Sequence, residues 1–125
     1  MRALVIDDEE VVRELFEMML RRNGYEVLLA DNGGVGLDLL RKSLPVDLVL
    51  VDWNMPEMNG VAFLKAVRED PSLAKIPVLL VTGEGNPTKK VQAKEAGADG
   101  VLVKPVTNRI LMDKIKMLGT GIDSW

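Results

Sequence analysis

The chain has 125 residues, 47% hydrophobic but only 4% aromatic, and carries a formal net charge of −3 at pH 7. That length suits one domain with a substantial core, built from Val, Leu, Ile, Ala and Met rather than from rings. With no Cys and no His, disulfides, zinc fingers and cysteine or histidine nucleophiles are excluded, any metal must be bound through oxygen, and the mild acidity gives no reason to expect nucleic acid.

In chain order, Ala3-Leu4-Val5-Ile6 is an unbroken apolar run that stops at Asp7-Asp8. Runs without alternation mark strands buried on both faces, which belong to parallel sheets flanked by helices. This strand starts at about Arg2, leaving no room for a signal peptide. No apolar run approaches the ~20 residues of a membrane span, so a cytoplasmic protein without a membrane partner is expected. From Glu9 to Arg22, the residues Val11, Val12, Leu15, Phe16, Met19 and Leu20 recur at helical spacing, which predicts an amphipathic helix with that stripe inward. Its acidic start and its Arg21-Arg22 end suit the helix dipole, and Asn23-Gly24 stops it.

The second strand runs from about Tyr25 to Ala30 and gives way at Asp31-Asn32-Gly33, where Asp31 is read as a turn residue. The next helix directs Leu37, Leu40 and Leu44 to the sheet. Gly34 and Gly36 each cost it up to about 1 kcal/mol relative to Ala, making it the least stable helix expected, and Pro45 ends it. Leu48-Val49-Leu50-Val51 then stops at Asp52, and the loop Trp53 to Asn59 closes with Gly60. Val61, Phe63, Leu64 and Val67 mark a short helix, which Asp70-Pro71 stops because the residue before Pro avoids helical angles.

Pro77 opens the fourth strand, Val78 to Val81, which stops at Thr82 before a Gly-containing loop. Thr88 to Ala96 reads as a helix capped by Gly97, although Lys89 and Lys90 oppose its dipole. Val101-Leu102-Val103 stops at Lys104. Thr107 is the expected N-cap of a last helix carrying Ile110, Leu111, Ile115 and Leu118 and ended by Gly119. Residues 1–119 are thus read as the domain and 120–125 as a tail. Met18, Met19, Met55, Met58, Met112 and Met117 are read as core or loop filler. The alternation of five strands with five helices predicts a doubly wound α/β sheet.

In such a sheet all strand exits share one edge, and ligands bind in the crevice beyond it. Asp7, Asp8, Asp52, Thr82 and Lys104 are therefore candidates for one site. Neighbouring strands lie about 4.8 Å apart, so adjacency of the first and third would crowd three carboxylates together. Like charges at ~4 Å repel by about 4 kcal/mol at an effective dielectric of 20, so the cluster must hold a proton or bind a cation. Oxygen-only ligation favours Mg²⁺ or Mn²⁺, and the divalent ion is the reading adopted. A carboxylate beside a metal, a hydroxyl and an ammonium supply what phosphoryl transfer to an aspartate requires. Asp52 would be the nucleophile, Lys104 and the metal would neutralise the equatorial oxygens, and Thr82 would donate to one of them.

Asp7-Asp8, Asp52-Trp53-Asn54-Met55-Pro56, Asn59-Gly60, Thr82, Glu95-Ala96-Gly97-Ala98 and Lys104-Pro105 together resemble the motifs of response-regulator receiver domains of the CheY type, across roughly Arg2 to Leu118. The resemblance implies a flavodoxin-like (βα)5 fold with strand order 2-1-3-4-5 and helices on both faces; that order comes from the family and not from the residues. It implies that Asp52 takes a phosphoryl group from a sensor histidine kinase or a phosphotransfer protein. It also implies Mg²⁺ held by Asp8 and Asp52, by Asp7 largely through water, and by the backbone carbonyl of Asn54. Output would pass to a downstream protein over the fourth helix, fifth strand and fifth helix, with no nucleic acid bound by the chain itself. A cis Lys104-Pro105 bond is implied as well.

In the family, the threonine moves towards the phosphorylated aspartate and an aromatic three residues before the lysine follows it. Here that position is Val101, and Val106 replaces the Phe often found after Lys-Pro, so the aromatic half of the switch is absent. Asn54 and Glu84 are of the types that accompany rapid hydrolysis, which implies a short-lived phosphoprotein. Trp53, beside the acceptor, should respond to metal in fluorescence over a background from Trp125. Lys89, Lys90, Lys94, Lys114 and Lys116 are read as a solvated basic face, or as a dock for an acidic segment. Two alternatives stand beside the single-module reading: a receiver cut from a larger regulator or hybrid kinase, and an aspartyl-phosphate phosphohydrolase. The latter normally has a D-x-D nucleophile pair at the first strand and a cap domain, and Asp52 is followed by Trp53-Asn54.

Overall fold

The computed structural model describes residues 1–118 and Thr120. Five strands, β1 (Arg2–Ile6), β2 (Glu26–Ala30), β3 (Leu48–Asp52), β4 (Val78–Thr82) and β5 (Gly100–Val103), alternate with five helices. These are α1 (Glu10–Arg22), α2 (Gly33–Lys42), α3 (Gly60–Glu69), α4 (Pro87–Ala96) and α5 (Asn108–Met117). The sheet is parallel throughout, in the order β2-β1-β3-β4-β5, as the family resemblance implied.

The unbroken apolar runs are explained by two cores, one on each face. Leu4, Ile6, Val49, Val51, Leu80 and Val101 pack under α2, α3 and α4 against Leu37, Leu40, Phe63, Leu64 and Ala93. Ala3, Val5, Leu48, Leu50, Val81 and Leu102 pack under α1 and α5 against Phe16, Leu20 and Leu111. Successive residues of each central strand thus serve opposite layers, and truncating one of them, such as Leu50 to Ala, would cost about 2–5 kcal/mol.

Local signals set the helix boundaries. Asn32, Asn59, Asn86 and Thr107 each accept a hydrogen bond at a helix start, from the N–H groups of Val35, Ala62, Lys89 and Ile110. At the other end of α4, Gly97 takes a left-handed conformation with φ 95°. The stripe on α1 is only half buried: Phe16 and Leu20 face the core, whereas Val11 and Leu15, expected inward, and Met18, expected as filler, are exposed. Six apolar positions span a wider arc than the sheet can cover. Leu44 and Ile110 are also exposed rather than directed at the sheet. Leu44 falls beyond the end of α2, and Ile110 lies in the first turn of α5, before Leu111, which does reach the core.

Gly36 has a packing reason that propensity alone misses, because a β-carbon there would run into the Ile6 side chain and approach Phe63 Cε2 to 3.4 Å. Both Leu44-Pro45 and Lys104-Pro105 are cis; only the second was implied, by the family resemblance. The expected helix stop at Gly119, and the tail from 121 to 125 including Trp125, lie outside the described residues. No helix among the described residues is long and apolar enough to cross a membrane.

Candidate functional site

Strand adjacency builds the site. With β1 between β2 and β3, and β3 between β1 and β4, the exits of β1 and β3 lie side by side. The ladder continues past the strand ends: Asp7 N–H donates to Ala30 O at 3.1 Å and Lys104 N–H to Thr82 O at 2.8 Å. Asp7, Asp8 and Asp52 each offer a carboxylate oxygen within 4.8 Å of the others. Asp7 is 1% and Asp52 5% exposed, while Asp8 faces solvent.

One cation reaches this cluster from across the sheet. Lys104 Nζ lies 3.3 Å from Asp52 Oδ1 and 3.4 Å from Asp7 Oδ2. Asp7 Oδ1 also accepts the Glu9 N–H at 2.8 Å. Burial raises the Asp52 carboxyl above its ordinary 3.8, Asp7 adds to the rise, and Lys104 opposes it. Burial likewise raises Asp7, against the Glu9 hydrogen bond and Lys104. For Lys104 burial pulls the other way, and the two carboxylates outweigh it to raise the ammonium above 10.5. A single ammonium is therefore asked to balance more carboxylate charge than it carries.

Thr82 reaches the same edge but not the same face. Asp52 pairs with Val81 and Thr82 with Val103, and Leu50 and Val81 belong to the α1/α5 core whereas Leu80 belongs to the other. Alternation then sends Asp7, Asp52 and Lys104 to the α1 side of the pleat and Thr82 to the α4 side. Thr82 is fully buried, and its Oγ1 accepts the Glu84 N–H at 3.1 Å. Counting from Val78 along β4 would have revealed this from sequence.

The loop after Asp52 is tied down at several points. Trp53 N–H donates to Val81 O at 2.8 Å, and Gly60 N–H returns to Trp53 O at 3.0 Å. A β-carbon on Gly60 would lie 2.6 Å from the Asp52 carbonyl oxygen, so only glycine allows α3 to start so close to the end of β3. Met55 is buried and Asn54 exposed on this loop. Lys89 Nζ sits 4.3 Å from the centroid of the Trp53 ring, a cation–π contact that offsets its unfavourable place at the start of α4.

Against known proteins, the family described as "Response regulator receiver domain" matches residues 3–116. The chain belongs to this family. Among curated relatives, a Campylobacter jejuni protein named as a chemotaxis protein CheY homolog is 39% identical, the match covering 97% of this chain and 95% of the relative. Helicobacter pylori CheY1 is 38% identical over 97% and 99%. In structure, Vibrio cholerae chemotaxis protein CheY4 superposes with a TM-score of 0.87 at 36% identity, covering 92% of this chain and 95% of that one. This receiver domain is thus CheY-like in sequence and in fold, and its kind are signalling proteins.

Proposed function

We propose that Asp52 accepts a phosphoryl group from the phosphohistidine of a sensor histidine kinase or a phosphotransfer protein, and that the domain, residues 1–119, then signals to a downstream protein. The observation that carries this reading is the Lys104 ammonium, 3.3 Å from Asp52 and 3.4 Å from Asp7, beside three carboxylates whose oxygens lie within 4.8 Å. The donors are all oxygen and their negative charge exceeds that of the ammonium, which fits a hard divalent ion, Mg²⁺ or Mn²⁺. Asp7, Asp8, Asp52 and the backbone carbonyl of Asn54 would hold it. When bound, the ion supplies positive charge for the oxygens of the transferred group.

The chain's own residues supply the rest. An Asp52 carboxylate oxygen attacks phosphorus, the P–N bond to the donor imidazole breaks as the O–P bond forms, and the imidazole nitrogen takes a proton from solvent. Lys104, already oriented by two carboxylates, meets an oxygen of the transferred group. Thr82 has to turn from the Glu84 N–H across the pleat to donate to another. Val101 is buried in the α4-side core and has no ring to follow it, so the signal would travel through the Thr82 loop and α4.

Exposed apolar residues support contact with two kinds of partner. Leu15, exposed on α1, lines a groove of about 350 Å³ together with Met19, Lys104, Pro105 and Val106, which suits a phosphodonor approaching Asp52. Val91 on α4, Val103 on β5 and Ile110 on α5 are exposed as well, on the face proposed for output. Incubation with a small acyl phosphate and Mg²⁺, read by intact mass, should add one phosphoryl group to the wild type and none to Asp52→Asn. No gain in the wild type, or an equal gain in the variant, would overturn the reading. In the same assay Glu84→Ala and Asn54→Ala should each prolong the acyl phosphate, and unchanged lifetimes would remove these residues from its hydrolysis.

A further inference from the structure

Arg13 has no place in the chemistry above, yet it is tied to the site. It lies in the first turn of α1, and its Nη1 donates to the backbone carbonyl of Asp7 at 2.8 Å. That bond spans the β1–α1 turn, the segment that carries Asp7 and Asp8. Asp7 is then held at every polar group: its N–H by Ala30 O, its Oδ1 by the Glu9 N–H, its Oδ2 by Lys104 and its carbonyl by Arg13. The acceptor is neutral although Glu9, Glu10 and Glu14 all lie within about one helical turn of Arg13 in sequence.

Charge and geometry make opposite demands on such a residue. A guanidinium beside an acidic cluster competes with a divalent cation for the same field, so by charge alone its removal should tighten cation binding. As an outer partner that fixes the turn, its removal should weaken binding, because groups that orient metal ligands typically matter by ten- to a hundredfold in affinity. We propose that Arg13 is a positioning residue of the cation site, holding the Asp7-Asp8 turn so that both carboxylates face Asp52. This rests on the reading of the acidic cluster as a divalent-cation site.

The test is Mg²⁺ affinity by calorimetric titration, well below the melting temperature, on wild type, Arg13→Met and Arg13→Lys. Met keeps the apolar stem and helix propensity while losing donor and charge; Lys keeps both. The dissociation constant should rise roughly tenfold in Arg13→Met and stay within about threefold of wild type in Arg13→Lys, since one donor suffices for one carbonyl. Unchanged or tighter binding in Arg13→Met, or equal weakening in both variants, would overturn the proposal. Failure of the wild type to bind Mg²⁺ would instead remove the cation reading beneath it, and no variant is needed to see that.

Discussion

The two edges of the sheet are both rich in charge and treat it in opposite ways. At the edge where the strands begin, Arg68 donates to the carbonyls of Gly97, Ala74 and Ile76 and to Asp99 Oδ2. Asp99 Oδ2 in turn accepts the Val78 N–H at 2.8 Å, and the Asp47 carboxylate takes the Arg2 N–H. At the edge where the strands end, Asp7 and Asp52 are buried and share the one Lys104 ammonium, and although Asp7 is hydrogen-bonded, the carboxylate charge exceeds the charge of that ammonium. Charge that is matched by hydrogen bonds serves as architecture. Charge left in excess is a liability to the resting fold, and it persists where a ligand can relieve it.

The largest effect should come from the matched edge. Arg68→Met strips donors from three carbonyls and one carboxylate, and should cost about 2–3 kcal/mol in urea denaturation while leaving Mg²⁺ affinity unchanged. A loss below ~1 kcal/mol would mean that the network is ornamental and that the contrast between the edges is overstated. Opposite in sign is Asp52→Asn, which removes like-charge repulsion yet still accepts from Lys104. Without divalent cation it should stabilise the fold by about 1 kcal/mol, seen as a raised melting temperature, and a destabilised variant would count against an excess of charge.

Smaller but more diagnostic is the pH dependence. Asp7 and Asp52 are raised above 3.8 in the folded state, so just above that pH the native protein holds protons that the unfolded chain has released. Their contribution to stability therefore declines as pH rises through the raised values. Asp70, lowered chiefly by hydrogen bonds from Ser72, acts oppositely and loses its contribution on acidification below 3.8. In chelator the urea midpoint should fall as pH climbs from 3.8 upward, and saturating Mg²⁺ should abolish the decline. A midpoint that rises with pH in chelator would show that the carboxylates are relieved by something other than protons.

Much of the site was legible because a parallel sheet aligns strand exits, and because an unbroken apolar run points to the residue that ends it. Asp7, Asp52 and Lys104 needed only that rule. Thr82 obeyed it in position and not in direction, since an exit rule ignores the alternation that turns each side chain to one face or the other. Val11 and Leu15 show a second limit: spacing reports the angular width of an apolar stripe, not the width that the sheet has room to bury. The stack of Lys89 on Trp53 and the reach of Arg13 to Asp7 depend on long side chains whose partners no local pattern encodes. The strand order came through family resemblance, because pairing between β1 and β3 leaves no mark on either segment alone.

Gly60 ties these observations to motion. Its α-carbon is seated so near the carbonyl oxygen of Asp52 that any β-carbon there would have to displace backbone, and its N–H closes the loop onto Trp53. The start of α3 is consequently seated directly against the peptide unit of Asp52. A displacement of the residue 52 peptide towards residue 60 would therefore meet backbone rather than a yielding side chain, and the first turn of α3 is where it would arrive.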